Sequence, residues 1–318
     1  MNNFKKIGLT ALAASLVSTS VFAGALDATG SAEMKMTNNS NSSNGRTVGM
    51  GNSVNFAGSG ETDGGLNVSL SFELDSGVDT GTGTGPFDNH SVSVGNDTIG
   101  TVTVHGHGGS NSAAALDGTA AGDFWDNTLI PAANAPQASV SGNNLVVYSL
   151  PAMVDGLAAA ASYSSDAANN EGSTAWGLTY TGVEGLSVSY GQGEDNSTIN
   201  IDADQTIMKA SYAYGPVTLS ASNNDYDHTT AASDQEVKSY AISYTLTDSI
   251  SFTYGETTIE KTGAAITSDV EVEGMTASYT SGGMTAAVTS VEATNVDHSS
   301  TGVNNDNDFW KVSLSFAF

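Results

Sequence analysis

The sequence predicts an all-β chain folded as a transmembrane antiparallel β-barrel of about sixteen strands. Three observations carry this reading. The closing segment, Trp310 to Phe318, alternates strictly, with Trp310, Val312, Leu314, Phe316 and Phe318 on one face and Lys311, Ser313, Ser315 and Ala317 on the other. Segments of the same period recur along the chain between turn residues. Beyond residue 23 no apolar run reaches the roughly 20 residues of a membrane-crossing helix, so a spanning structure must satisfy its backbone between closed strands.

The first element is a leader. Lys5 and Lys6 precede an apolar stretch, Ile7 to Phe22, with Val21 and Ala23 at the small-residue positions of a cleavage site, so 1–23 reads as a signal peptide removed on export. Ser15, Ser18, Thr19 and Ser20 interrupt the stretch and argue against an anchor helix. Residues 24–318 then form a single barrel domain. It holds no cysteine, which excludes a disulfide framework and thiol chemistry and leaves stability to strand pairing.

Alternating segments follow near 25–37, 45–57, 65–75, 88–95, 100–107, 143–150, 157–165, 173–181, 185–193, 204–214, 216–224, 236–246, 249–259, 267–280, 284–294 and 308–318. Their even number suits a single-chain bacterial barrel. The connections alternate in length. Tight ones at 95–100, 151–156, 183–185, 215–216, 247–248 and 281–283 suit periplasmic turns, and longer polar ones at 76–87, 166–172, 194–203, 225–235 and 293–307 suit external loops.

One face of these strands is apolar, as in Leu66, Val68, Leu70, Phe72 and Leu74. Rings recur near its ends: Trp176, Tyr180, Tyr212, Tyr214, Tyr240, Tyr254, Trp310 and Phe318 are the expected lipid-interface aromatics. The opposite face carries Asn67, Ser69, Ser71, Ser187, Ser189, Lys209, Ser211, Ser239, Ser243, Ser251 and Thr253, which implies a wet lumen. About sixteen strands leave room for an aqueous channel, where eight would fill their interior with side chains.

Charge narrows the partners. With Lys5 and Lys6 removed, six of the eight basic residues face all 34 acids, a balance of −28 that excludes nucleic acid and favours cations. Regularly spaced aromatics argue against an acidic disordered chain.

After the fifth strand the rhythm breaks. Residues 108–142 form a long connection containing Leu116, Phe124, Trp125, Leu129 and Ile130, whose apolar content argues that part of it is buried.

Several phrases, in their order, resemble the general diffusion porins of the Gram-negative outer membrane, alphaproteobacterial type. They are Phe56 to Glu61 followed by Leu66 to Phe72, then Gly95 to Val104, Val146 to Leu157, and the terminal aromatic strand. The resemblance implies that the third external loop, 108–142, folds into the lumen as a constriction and that the protein is a homotrimer. It makes Asp117, Asp123 and Asp126 constriction carboxylates; the alternative is that they cap turns. It also implies recognition by the barrel-assembly machinery through the C-terminal strand ending at Phe318. The family commonly sets arginines against this loop, whereas here Arg46 is the one arginine, so the wall candidates are Lys35, Lys209, His105 and Arg46. Parity turns Glu33, Lys35, Glu73 and His105 inward; at the strand end, Arg46 has no reliable parity. Trp125 and Phe124 either stack on a solute or pin the loop.

Other chemistry is weak. Gly81 to Gly85 lacks the Lys-Ser/Thr pair of a phosphate loop, and no Ser sits in a nucleophile elbow, so no enzyme is expected. His105 and His107, two apart on a strand, would point the same way and make half a metal site. No cofactor is expected, although Glu194, Asp195, Asp202, Asp204, Asp225 and Asp227, expected in outer loops, offer oxygen ligands for Ca²⁺; a solvated repulsive surface is the alternative. The expected function is a water-filled, cation-preferring outer-membrane channel for passive diffusion of small hydrophilic solutes. The alternatives are a substrate-selective porin, a barrel enzyme, and a secreted acidic Ca²⁺-binding adhesive or surface β protein.

Overall fold

In the computed structural model, residues 26–40, 45–75, 88–126, 129–139, 143–165, 172–196, 202–229, 234–263, 266–300 and 305–318 are described. The expected signal peptide, 1–23, and the Gly81 to Gly85 stretch lie outside them. The strands are β1 (Leu26–Asn39), β2 (Arg46–Glu61), β3 (Asn67–Asp75), β4 (Asn89–Asn96), β5 (Gly100–His107), β6 (Leu145–Ser149), β7 (Leu157–Ser165), β8 (Gly172–Tyr180), β9 (Leu186–Asp195), β10 (Ala203–Tyr214), β11 (Val217–His228), β12 (Gln235–Thr247), β13 (Ile250–Lys261), β14 (Val270–Ser281), β15 (Met284–Thr294) and β16 (Asn307–Ala317). Each pairs antiparallel with its chain neighbour, and β1 pairs with β16, so the sheet closes. The predicted fold class is what the structure shows.

Closure is sealed at the chain end. The Gly30 amide donates to the Phe318 carbonyl at 2.7 Å and the Phe318 amide returns the bond at 3.0 Å. The Phe318 ring lies over Gly30, where a Cβ would come within 2.5 Å of it. Only glycine admits the ring there. With every ladder group paired around the ring, no edge strand is left to template aggregation.

Alternation sorts the side chains. Ile242, Tyr244, Phe252 and Val288 are exposed on the outer face. Facing the lumen, hydroxyls bond across strands: Ser93 with Thr103 at 2.8 Å, Thr179 with Ser189, Ser243 with Thr253 and Thr276 with Thr289, each at 2.9 Å. These small polar rungs satisfy one another and still face water, which is why the inner face is rich in Ser and Thr.

Three local expectations need correction. Residues 62–66 form a further tight turn, with the Leu66 amide on Thr62 Oγ1 at 3.0 Å, so Leu66 belongs to the turn. The register shifts at Gly106, so that Ser91 pairs with His105 but His90 with His107. That bulge breaks the parity that would have aimed His105 and His107 the same way. Glu194, Asp195, Asp204, Asp225 and Asp227 are not loop residues but lie in β9, β10 and β11. The backbone ladder continues past the apolar band because its hydrogen bonds do not depend on apolar side chains, and acidic strand ends look like loop in sequence.

Candidate functional site

The connection between β5 and β6 turns inward and runs along the inner wall, out towards β16 and back. On the outward limb the Ser112 amide donates to Ser162 Oγ of β7 at 2.8 Å, Lys209 Nζ of β10 to the Gly118 carbonyl at 2.6 Å, and Asn307 Nδ2 of β16 to the Leu129 carbonyl at 2.8 Å. On the return, Lys261 Nζ bonds the Ala133 carbonyl at 2.9 Å and Gln235 Nε2 the Ala135 carbonyl at 3.1 Å. Asn224 Nδ2 then takes the Gln137 carbonyl at 3.0 Å, and Gln205 Oε1 accepts from the Ser139 amide at 2.8 Å. Wall side chains thus satisfy loop backbone that would otherwise be buried without partners.

The wall is recessed to receive it. A Cβ at Gly177 would stand 2.3 Å from the Ser112 carbonyl, at Gly255 2.1 Å from Ala121, and at Gly274 2.4 Å from the Phe124 ring. Beyond these notches lies an apolar seat in which Phe124, Leu129 and Ile130 pack on Val237, Ile259, Val270, Val272, Val291 and Phe309. Burying each large side chain of this kind is worth about 1.5–3 kcal/mol. The signal for this seat was legible: β14 carries Val270 and Val272 on the face that elsewhere in the barrel is Ser or Thr.

The loop acids differ in their surroundings. Burial pushes the Asp117 carboxyl up to about 6, with the charge of Asp123 adding to the rise and Gln205 and Lys209 opposing it. Asp123, at φ 56°, caps a turn: its Oδ1 accepts from the Thr119 amide at 2.8 Å, Thr119 Oγ1 at 2.9 Å and Trp125 Nε1 at 3.2 Å. Asp126 is exposed. Trp125 is half-buried against the apolar seat, and Phe124 is buried, so these rings pin the loop and Phe124 offers no free face to a solute.

On the inner wall, β1 and β16 bring Glu33 between two ammonium groups, Lys35 at 3.3 Å and Lys311 at 3.6 Å. Glu73 accepts from Asn89 Nδ2 at 2.7 Å. His105 lies at the loop's root, where a Cβ on Gly109 would come within 2.6 Å of its ring. Arg46 is not a wall residue. Its guanidinium stands 6.0 Å from the Trp310 ring centroid, on the outer side, because even positions of β2 pair with the outward residues of β1. Sequence reasoning missed Lys261 and did not assign Lys311 to the pore, although parity had turned Lys311 inward.

The outer surface holds most of the strand acids. Asp204 stands opposite both Glu194 and Asp227, Glu236 opposite Asp225 and Glu260, and Glu273 opposite Glu256 and Glu292. Among the described strand residues, β1–β8 carry no outward carboxylate. Asp195 points inward instead and accepts from Tyr226 Oη at 2.7 Å. Of the expected interface rings, Trp176, Tyr180, Tyr212, Tyr214, Tyr240, Tyr254 and Phe318 are exposed and Trp310 is partly covered. Among the described residues no group of three His, Asp or Glu side chains is arranged to hold a metal.

The family model described as Gram-negative porin matches residues 8–299. The chain belongs to the Gram-negative porin family. No curated protein matches the sequence. Solved porin structures share the fold. An anion-selective porin from Comamonas acidovorans superposes at TM-score 0.65 with 17% identity, over 93% of this chain and 100% of that one. OmpT of Vibrio cholerae gives TM-score 0.69 at 15% identity, over 94% and 99%, and a Rhodopseudomonas blastica porin variant 0.65 at 15%, over 92% and 100%. This porin is therefore an outer-membrane β-barrel channel.

Proposed function

We propose that this porin is a homotrimeric, water-filled channel through which small hydrophilic solutes diffuse passively, with a preference for cations. The observation that carries it is the inner loop held against β7–β16, which narrows the lumen opposite the inner faces of β1–β4. Only part of the overall acidity reaches the pore. Lys35, Lys209, Lys261 and Lys311 face inward against Asp27, Glu33, Glu61, Glu73, Asp75 and Asp195 of the strands and Asp117, Asp123 and Asp126 of the loop, an acidic excess, while outward acids of β9–β16 act only through the wall. General rather than solute-specific passage is favoured by Phe124 and Trp125 being engaged in pinning the loop. Any Ca²⁺ held by the outer acids belongs to the surface and not to conduction. Insertion through the terminal strand at Phe318 accords with its position as the closing strand.

The test is single-channel recording of detergent-purified protein in a planar bilayer under a tenfold KCl gradient at pH 7.5. Stepwise conductance in threes with a reversal potential of K⁺-selective sign is expected. Folded protein that gives no steps refutes the channel, and a strong anion preference refutes the charge assignment.

A further inference from the structure

Two outer connections meet at one buried imidazole. His298, between β15 and β16, is 0% exposed, and its backbone is left-handed at φ 54°. Its carbonyl accepts from the Thr267 and Ser268 amides of the β13–β14 connection at 3.0 and 3.2 Å. Its Nδ1 lies 3.3 Å from the Ser268 carbonyl, a contact that needs the proton on Nδ1. Nε2 is then a bare acceptor, and it is buried with no partner among the described residues. Two residues earlier, Val296 enters the apolar seat of the inner loop, and its carbonyl accepts from Asn134 Nδ2 at 2.9 Å. One short stretch therefore clamps both the β13–β14 connection and the return limb of the constriction loop.

We propose that His298 is a proton-operated latch: neutral, it locks the β15–β16 connection onto both partners, and protonated, it releases them and loosens the constriction loop from its outer side. A second proton on Nε2 would find no acceptor among the described residues and would put a cation in a buried site, which is costly unless compensated. Two charged groups face the ring. The Lys261 ammonium of β13 opposes a second positive charge, and Asp269 of the β13–β14 connection favours one; burial outweighs the latter and holds the imidazole below the ordinary histidine range. Asp297 and Asp306 lie on its own connection, Asp297 exposed and Asp306 accepting from the Asn295 amide at 3.3 Å. A released ring titrates at about 6.5. The locked state binds the proton less tightly than the released state, so locking is fully favourable above that pH and weakens as pH falls below it.

The inference rests on the channel reading only for its electrical readout. The test uses full-length protein in detergent and compares amide-exchange protection of residues 266–269, corrected for intrinsic rates, at pH 7.5 and 5. Loss of protection by tenfold or more at pH 5 is expected in the native protein. His298→Asn keeps a donor for Ser268 and tolerates the left-handed backbone but cannot titrate, so its protection should be unchanged between the two pH values. Lys261→Gln removes the opposing cation and should move the transition to higher pH, a second readout if His298→Asn does not fold. Equal protection of native protein at both pH values, or an unmoved transition in Lys261→Gln, overturns the latch. In bilayers, with the loop carboxyl's own titration removed by Asp117→Asn, an acid-dependent conductance change should remain and should vanish when His298→Asn is added; a change that persists in the double variant overturns it. Exchange decides the latch whether or not the protein conducts, so its failure and that of the channel reading are separable.

Discussion

Charge at single residues decides what the pore favours. Asp117 holds its proton up to about pH 6 when seated, against 3.8 for an ordinary aspartate. Seating is thus favoured by protonation and loses that contribution as pH rises through about 6. In the pore the same step adds a negative charge, so cation preference should grow between pH 5 and 7.5. Asp117→Asn should flatten that rise, which reversal potentials across the range will report. Replacing Lys35 and Lys311 together by Gln leaves Glu33 unpaired on the inner wall and should shift the reversal potential further towards K⁺ at pH 7.5; an unchanged value would show that this trio does not sense the permeating ions. Arg46, stacked outside on Trp310, should leave selectivity unaltered when replaced by Gln.

At the scale of elements, the constriction loop and its recessed wall form one unit. Gly274→Leu drives a side chain into the space of the Phe124 ring, an overpacking that costs about 1–3 kcal/mol. The loop is then displaced towards the pore axis, and single-channel conductance should fall. Gln205→Leu leaves the buried Ser139 amide without its acceptor, at about 1–3 kcal/mol. The barrel should still close, because the strand ladders are untouched, while conductance becomes noisier as the return limb loosens. Retained heat resistance on a gel together with increased open-channel noise is the expected pair of results.

The whole molecule is divided into two outer faces. Strands β9–β16 carry outward carboxylates and most of the tyrosine girdle, whereas the outward positions of β1–β5 hold residues such as Ala32, Met34, Val48, Leu70 and Val92, with neither a carboxylate nor a Tyr or Trp. Like charges resist burial against a copy of themselves, so the acid-free face is the one suited to the trimer contact. The chain has no cysteine, which makes single-cysteine labelling clean. A membrane-soluble maleimide should modify Ile242→Cys in the native assembly and spare Val92→Cys until the trimer is dissociated; equal labelling of both would place the contact elsewhere.

The sequence by itself determined the barrel. A period of two fixes which face meets lipid and which meets water, so β7 and β15 fall where Leu157 to Ser165 and Met284 to Thr294 alternate. The in-folded loop was legible only through a resemblance, with its apolar residues as a hint that part of it was buried. What the tertiary structure alone decided is where charge lies relative to the pore. The register that sets Glu194, Asp204 and Asp227 side by side on the outer surface, and Glu33 between Lys35 and Lys311 inside, joins residues far apart in the chain. Net charge is blind to that sorting. Parity assigned a side of the wall to each strand residue, but only closure of the sheet and the path of the loop placed these groups around a common passage.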